Sequence, residues 1–223
     1  TKIRKEITQQ VLKDCDHKCT FSMGRIRVSL IPAKVTFHDV HFNGGHPGDT
    51  MIDARVEKVS ARFLTRLLFV KVLRLEKVVV ESPVVIVTEG DLKHRGVAQT
   101  KKPQTWDLEI GKANISKGEF TYVREHLGKS AKIKVHGISG TLEELGSSPL
   151  LRQKPAHARV SATLENSGAI DLSVKAQLFS KAEHIDVALE LKSQNLTELN
   201  PYFLPSSGIN LSGKLIRGET AVS

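Results

Sequence analysis

The sequence predicts a mainly β protein, an N-terminal amphipathic helix followed by an antiparallel meander. Three observations predict it. Apolar residues alternate with polar ones over most of the chain, turn-forming residues recur at intervals of about 10–15 residues, and only residues 2–14 carry helical spacing.

In KIRKEITQQVLKD, residues 2–14, Ile3, Ile7, Val11 and Leu12 fall on one helical face, and the opposite face is basic at one end and amide-rich in the middle. The CDHKC segment then ends the helix. Phe21 and Met23 open the period-two pattern, and Ile26, Val28 and Leu30 continue it with Arg25, Arg27 and Ser29 on the other face. Pro32 interrupts. Val35 and Phe37 alternate, then Val40 and Phe42, with one extra residue near His38–Asp39; that slip of phase predicts a bulge. NGGHPGD, residues 43–49, is a turn. Ile52, Ala54 and Val56 resume the alternation, and Val59, Ala61 and Phe63 follow in shifted phase.

LTRLL, residues 64–68, reads as one helical turn. Val70–Val87 reads as two extended pieces, because VVVESPVVIV runs across Pro83 and proline favours a strand break or a sheet edge. The polar, Lys-rich stretch 89–103 reads as a loop or linker. It divides the chain into two modules, 1–98 (helix plus first β module) and 99–223 (second β module).

In the second half Trp106, Leu108 and Ile110 alternate. Ala113 and Ile115 precede Gly118, followed by Phe120 and Tyr122, and Ile133, Val135 and Ile138 form another short piece. Leu142–Gln153 reads as a turn-rich connection. Three clean strands follow, on Ala158–Leu164, Ile170–Leu178 and Ile185–Leu191, with NSG between the first two as a hairpin signal. Residues 193–205 suggest a short helix or turn, and Ile209, Leu211, Gly213 and Leu215 begin one more strand. One apolar face per strand suits an antiparallel protein. A closed sandwich satisfies this pattern, and so does an elongated curved sheet with an apolar concave face.

The chain has 223 residues, with 33 Lys+Arg against 24 Asp+Glu and a formal charge of +9. That balance favours polyanions or an anionic membrane surface as neighbours, or is a solvated basic surface. Aromatic residues are 5%, too few for stacking platforms, and no helix-turn-helix or zinc-finger spacing is present; nucleic acid is not an expected partner. No apolar run is long enough to span a membrane as a helix. Cys15 and Cys19 are compatible with a local disulfide closing a short turn, or with two free thiols. A zinc site needs four ligands, and no second cluster follows.

The sequence contains no GxGxxG, Walker A, HExxH or GxSxG pattern. His38, Asp39 and His41 resemble metal ligands in type, but on a regular strand His38 and His41 point to opposite faces unless a bulge brings them together. The adjacent carboxylates Glu143 and Glu144 read as solvated residues of a turn. No enzyme, no metal and no cofactor is expected.

Two stretches resemble a known family. The first is SMGRIRVSLIPAKVTFHDVHFNGGHPGDTMIDARVEKVSARFLTRLLFVKVLRLEKVVVESPVVIVTEGD, residues 22–91. The second is LTELNPYFLPSSGINLSGKL, residues 196–215. In their order of strand, loop and "l..l.pY" elements they are similar to the N-terminal part of AsmA-like bacterial envelope proteins, with Pro83, Tyr202 and Gly213 as the most specific single matches. The CDHKC segment is not a feature of that family.

The resemblance implies a meander curled into an elongated taco-like β-groove, as in bridge-like lipid transfer proteins. It also implies a periplasmic fragment, held to the inner membrane by an anchor helix ahead of it and lengthened by further repeats after it. The implied function is lipid transport between inner and outer membrane and cell-envelope integrity, with phospholipid or another envelope lipid, and other envelope proteins, as partners. Sheltering an acyl chain gains about 0.8 kcal/mol per methylene. The groove candidates are Val35, Phe37, Ile52, Ala54, Val56, Val78, Val80, Val85 and Val87. The alternative is a non-catalytic envelope scaffold with a closed β core and no lipid path. A polysaccharide binder lacks the aromatic platform.

Overall fold

The computed structural model describes residues 2–15, 19–45, 50–64, 72–89, 107–126, 129–148, 151, 154–177 and 184–222. The helical turn expected at 64–68 lies almost wholly outside them, as do His17, Trp106 and most of the linker read at 89–103.

A helix, α1 (Lys2–Asp14), comes first. The strands are β1 (Cys19–Ser22), β2 (Ile26–Leu30), β3 (Ala33–Gly45), β4 (Thr50–Phe63), β5 (Val72–Glu89) and β6 (Asp107–His126). They continue as β7 (Lys129–Gly146), β8 (Ala156–Leu164), β9 (Gly168–Gln177), β10 (His184–Asn195) and β11 (Lys214–Val222). A 3-10 turn (Leu196–Leu199) and a short helix, α2 (Asn200–Ser207), stand between the last two.

All eleven strands form one open sheet in the order β1-β3-β4-β5-β6-β7-β8-β9-β10-β11, with β2 beside β1 on the same edge of β3. No second sheet packs on it among the described residues, so the closed sandwich is not formed. The sheet is continuous across the boundary placed at residue 98, because β5 and β6 pair along most of their length.

Five expectations need correction. The meander is not antiparallel throughout: β5 and β6 run parallel, from Val72 against Asp107 to Glu89 against Arg124. A parallel pair needs a crossover of about a dozen residues or more, and residues 90–106 provide that length of chain. Pro83 does not break its strand or mark an edge, since β5 is a single strand of 18 residues paired on both sides. The pieces read at 107–122 belong to one strand of 20 residues, β6. The stretch from Leu142 to Gly146 is strand, not connection, and Ile209 and Leu211 precede β11 instead of opening it.

The long strands stay amphipathic because they change phase together. A first crease crosses the sheet where β1 gives way to β2 at Met23–Arg25, and passes through Asp39, Glu57, Ser82, Lys117 and Gly137. Asp39, Ser82 and Lys117 have φ of 53°, 50° and 54°, and Gly137 has 63°. Asp39 opposes Glu57, and Glu57 opposes Ser82, at the levels where the ladder skips a pair. The registers of β6 with β7 and of β7 with β8 shift at the same level. The slip expected near His38–Asp39 is therefore one station of a sheet-wide feature.

A second crease runs through Glu76, Gly111 and Glu144, where Glu144 has φ 60°. At each crease the apolar positions skip two residues instead of one: Phe37 to Val40, Val59 to Val56, Val80 to Pro83, Leu75 to Val78. The extra residue restores the apolar side chains to the same face. Gly118 fits a close approach at the first crease, where an added Cβ would lie 3.0 Å from Ile138 Cβ and 3.2 Å from Pro83 Cγ.

A left-handed conformation costs an L-residue roughly 1–2 kcal/mol, and β-branched residues suffer most. Lys117→Gly is expected to raise stability by about 1 kcal/mol, and Lys117→Val to lower it by about 1–2 kcal/mol. Urea denaturation of the two variants checks this; equal stability would mean that the crease is not a left-handed turn at Lys117.

Candidate functional site

Cross-strand partners share a face, so the register defines what each face carries. One row reads Val28, Val35, Ala61, Val78, Ala113, Leu142, Ala158, Val174, Val187 and Val222 from β2 to β11. Every member is apolar. The next row runs through Phe37, Val59, Val80, Ile115, Val160, Leu172 and Leu189. Beyond the first crease come the rows Phe21–Phe42–Ala54–Val85–Phe120–Val135–Leu164 and Gly44–Ile52–Val87–Tyr122–Ile133.

The structure brings all the groove candidates together on this one face. Val35 and Val78 share a row, as do Phe37 and Val80. Ala54 pairs with Val85, and Ile52 with Val87; Val56 sits between, opposite Val40. Among the described residues no second sheet covers them. Among the described residues the buried apolar set is Cys19, Met23, Ala131, Ala156, Leu164, Ala176 and Leu199, while Ile52, Ile115 and Leu189 are 38%, 39% and 36% exposed. The accessible surface is 15046 Å², against about 10,100 Å² expected of a compact monomer of this mass.

The opposite face is a ladder of charges. Lys58 Nζ donates to Glu81 at 2.7 Å, Lys112 to Glu143 at 2.8 Å, Lys134 to Glu119 at 2.8 Å and Lys192 to Glu190 at 2.7 Å. Glu143 and Glu144 thus lie in a strand and not in a turn; Glu144 stands 3.9 Å from Lys154. The hydrogen bonds from these lysines hold the carboxyls of Glu81, Glu119, Glu143 and Glu190 below their ordinary value, and the bond to Glu190 holds Lys192 above its own. Long side chains arching over small ones explain why Thr36 and Ser60 are 8% and 5% exposed here.

His38 and His41 fall on this polar face together, because the crease lies between them. His41 Nε2 is 3.1 Å from Asp53 Oδ1. Asp53 is held below its ordinary value: partial burial raises it, but the hydrogen bonds from Arg55 and His41 outweigh that. No group of three or more metal-ligating side chains occurs among the described residues.

Sequence reading missed two features. One is a cavity of about 830 Å³ over β7–β11. Its lining takes the rows Ser139–Ser161–Asp171–Glu190–Glu219 and Thr141–Arg159–Ser173–Ala188–Ala221 together with the row between them, Gly140–Val160–Leu172–Leu189–Thr220, which continues the second apolar row. No groove candidate lines it. The signal was the run of Ser, Ala and Gly at facing positions, whose short side chains leave the backbone uncovered.

The other is the seat of α2. The β8–β9 hairpin turns back at Glu165–Ser167 while β6 and β7 run on, and α2 packs along the flank of β7 left without a neighbour. The rings of Tyr202 and Tyr122 meet at 6.0 Å, and Ala131 beneath is 2% exposed. The return to β11 is held by Asn200, which accepts from Leu211 N–H at 2.7 Å.

Cys15 and Cys19 are joined in a disulfide that ties the end of α1 to β1. No described helix is long and apolar enough to cross a membrane. No protein-family model matches the chain, and no curated protein matches it.

The lowered carboxyls set a pH dependence. A carboxyl held below its unfolded value stabilises the fold above that value and loses its contribution as pH falls through the lower, folded one. The melting temperature is therefore expected to hold from pH 8 to 6 and to fall below the ordinary Glu value of 4.5. Added salt should weaken these exposed pairs at pH 7. Thermal melts across pH and ionic strength check both; a midpoint that rises on acidification would contradict the ladder.

Proposed function

We propose that the apolar face is a hydrocarbon-binding surface, the inner wall of a taco-like trough. There it shelters the acyl chains of phospholipid or another envelope lipid while headgroups stay in water. One observation carries this reading: apolar rows lie on one face of the sheet, one of them without a polar member from β2 to β11, and among the described residues no second sheet covers them.

Three further features support it. From β3 to β11 a row makes eight strand-to-strand steps, about 38 Å at about 4.8 Å each. That exceeds the reach of one acyl chain, which spans about half of a bilayer core of about 30 Å. The creases fall at shared levels in neighbouring strands, the first across β3 to β7 and the second across β5 to β7, and such bulges bend the strands that carry them, which suits a curved wall. The lining is aliphatic and carries little chemistry, which suits sheltering hydrocarbon at about 0.8 kcal/mol per methylene without selecting a structure.

In this reading the chain acts without catalysis. It is a periplasmic module of the AsmA-like type, attached to the inner membrane in the full-length protein and contributing to lipid movement between the inner and outer membranes. The basic balance favours anionic lipid surfaces at the membrane-proximal end. A scaffold for other envelope proteins remains the competing function, and the same experiment separates the two.

Native mass spectrometry after mild extraction is expected to show copurifying phospholipid. Val56→Asp and Val80→Asp each place a carboxylate on the hydrocarbon surface and should remove most of it. Because both positions are only half-buried, both variants should keep their β circular dichroism. A wild-type protein that carries no lipid, and takes none up from vesicles, would exclude the trough and favour the scaffold.

A further inference from the structure

The apolar rows end, on the β1 side, at a cleft of a different character. Between α1 and β1 lies a space of about 390 Å³. Arg4, Lys5, Thr8 and Gln9 of α1 form one wall, and Phe21, Ser22 and Met23 form the other. Helical spacing explains the first wall: Arg4 lies over Thr8, and Lys5 over Gln9, each pair four residues apart on one side of the helix. The first turn of α1 has no acidic residue. Neither cation has an ion-pair partner among the described residues, in contrast to the lysines of the polar face. Phe21 is in register with Phe42, so the second wall is the end of the row that continues through Ala54 and Val85. The disulfide between Cys15 and Cys19 holds the two walls to one another.

Two unpaired cations, a hydroxyl and an amide therefore face an aromatic ring that opens onto a hydrocarbon surface. We infer that this cleft seats the headgroup of an anionic amphiphile. The phosphate is met by Arg4 and Lys5, and Thr8 and Gln9 bond the ester or glycerol oxygens. The first methylenes pass over Phe21 onto the apolar row. Arginine and lysine recognise phosphate by charge-assisted hydrogen bonds, stronger than neutral ones. The inference rests on the apolar face binding hydrocarbon, as proposed above, and adds selection by headgroup at a defined place.

The test presents the delipidated protein with dioleoyl phosphatidylglycerol, dioleoyl phosphatidylcholine and dioleoylglycerol, and counts bound lipid by native mass spectrometry. The wild type is expected to prefer the phosphatidylglycerol. In Arg4→Glu/Lys5→Glu that preference should fall about tenfold or more, as loss of charge-assisted bonds implies, while dioleoylglycerol binding stays unchanged. Cys15→Ser/Cys19→Ser, which frees α1 from β1, should lose the same preference; circular dichroism confirms that each variant keeps its sheet. If the charge-reversed variant retains the wild-type preference, or the wild type shows none among the three lipids, the headgroup seat is wrong and the apolar face still stands. If no lipid of the three binds the wild type, both readings fall together.

Discussion

An amphipathic sheet that stands alone has a hydrophobic face with nothing to bury it. Most domains answer this by packing a second layer of helix or sheet on that face. This chain places its Val, Ile, Leu and Phe in continuous rows and leaves them half-exposed. The large accessible surface and the shortage of buried apolar side chains express the same condition. The stability of the fold is thus carried by long ladders of backbone hydrogen bonds, by lateral contact between neighbouring aliphatic side chains, and by the charged pairs of the opposite face. An uncovered apolar face of this extent is a hazard unless something occupies it, and the proposed acyl chains are such an occupant.

Keeping one face apolar along strands of up to 20 residues demands a second device. The creases supply it. Asp39, Ser82, Lys117 and Gly137 lie on one line across the sheet, and at that line the strands from β3 to β7 take an extra residue. The same device accommodates Pro83 in an interior strand. It also sorts the charged residues, so that Lys58 meets Glu81 and Lys112 meets Glu143 across neighbouring strands. Apolar rows and ion-pair ladder are two consequences of one alignment.

The two helices serve the ends of this surface. α2 fills the flank of β7 where the β8–β9 hairpin is too short to reach, and Tyr202 closes against Tyr122. α1 is tied to β1 through Cys15 and Cys19, and brings Arg4 and Lys5 beside Phe21. Both lie toward the end of the sheet marked by Gly44, Ile52 and Val87.

Local alternation by itself determined the β class, the apolar face of each segment, the slip near Asp39 and the hairpin at Asn166–Gly168. All the groove candidates came from that alternation, and they share a face because the phase changes in the sequence mirror bulges in the strands. The tertiary structure alone decided which strands neighbour each other. The parallel pairing of β5 with β6, the fusion of short pieces into long strands, the open sheet in place of a sandwich and the seat of α2 all depend on contacts between residues far apart in the chain. Periodicity reports which way a side chain points relative to its neighbours in sequence. It carries no record of the partner strand across the ladder, and that choice fixes whether an apolar face meets a second layer or stays open.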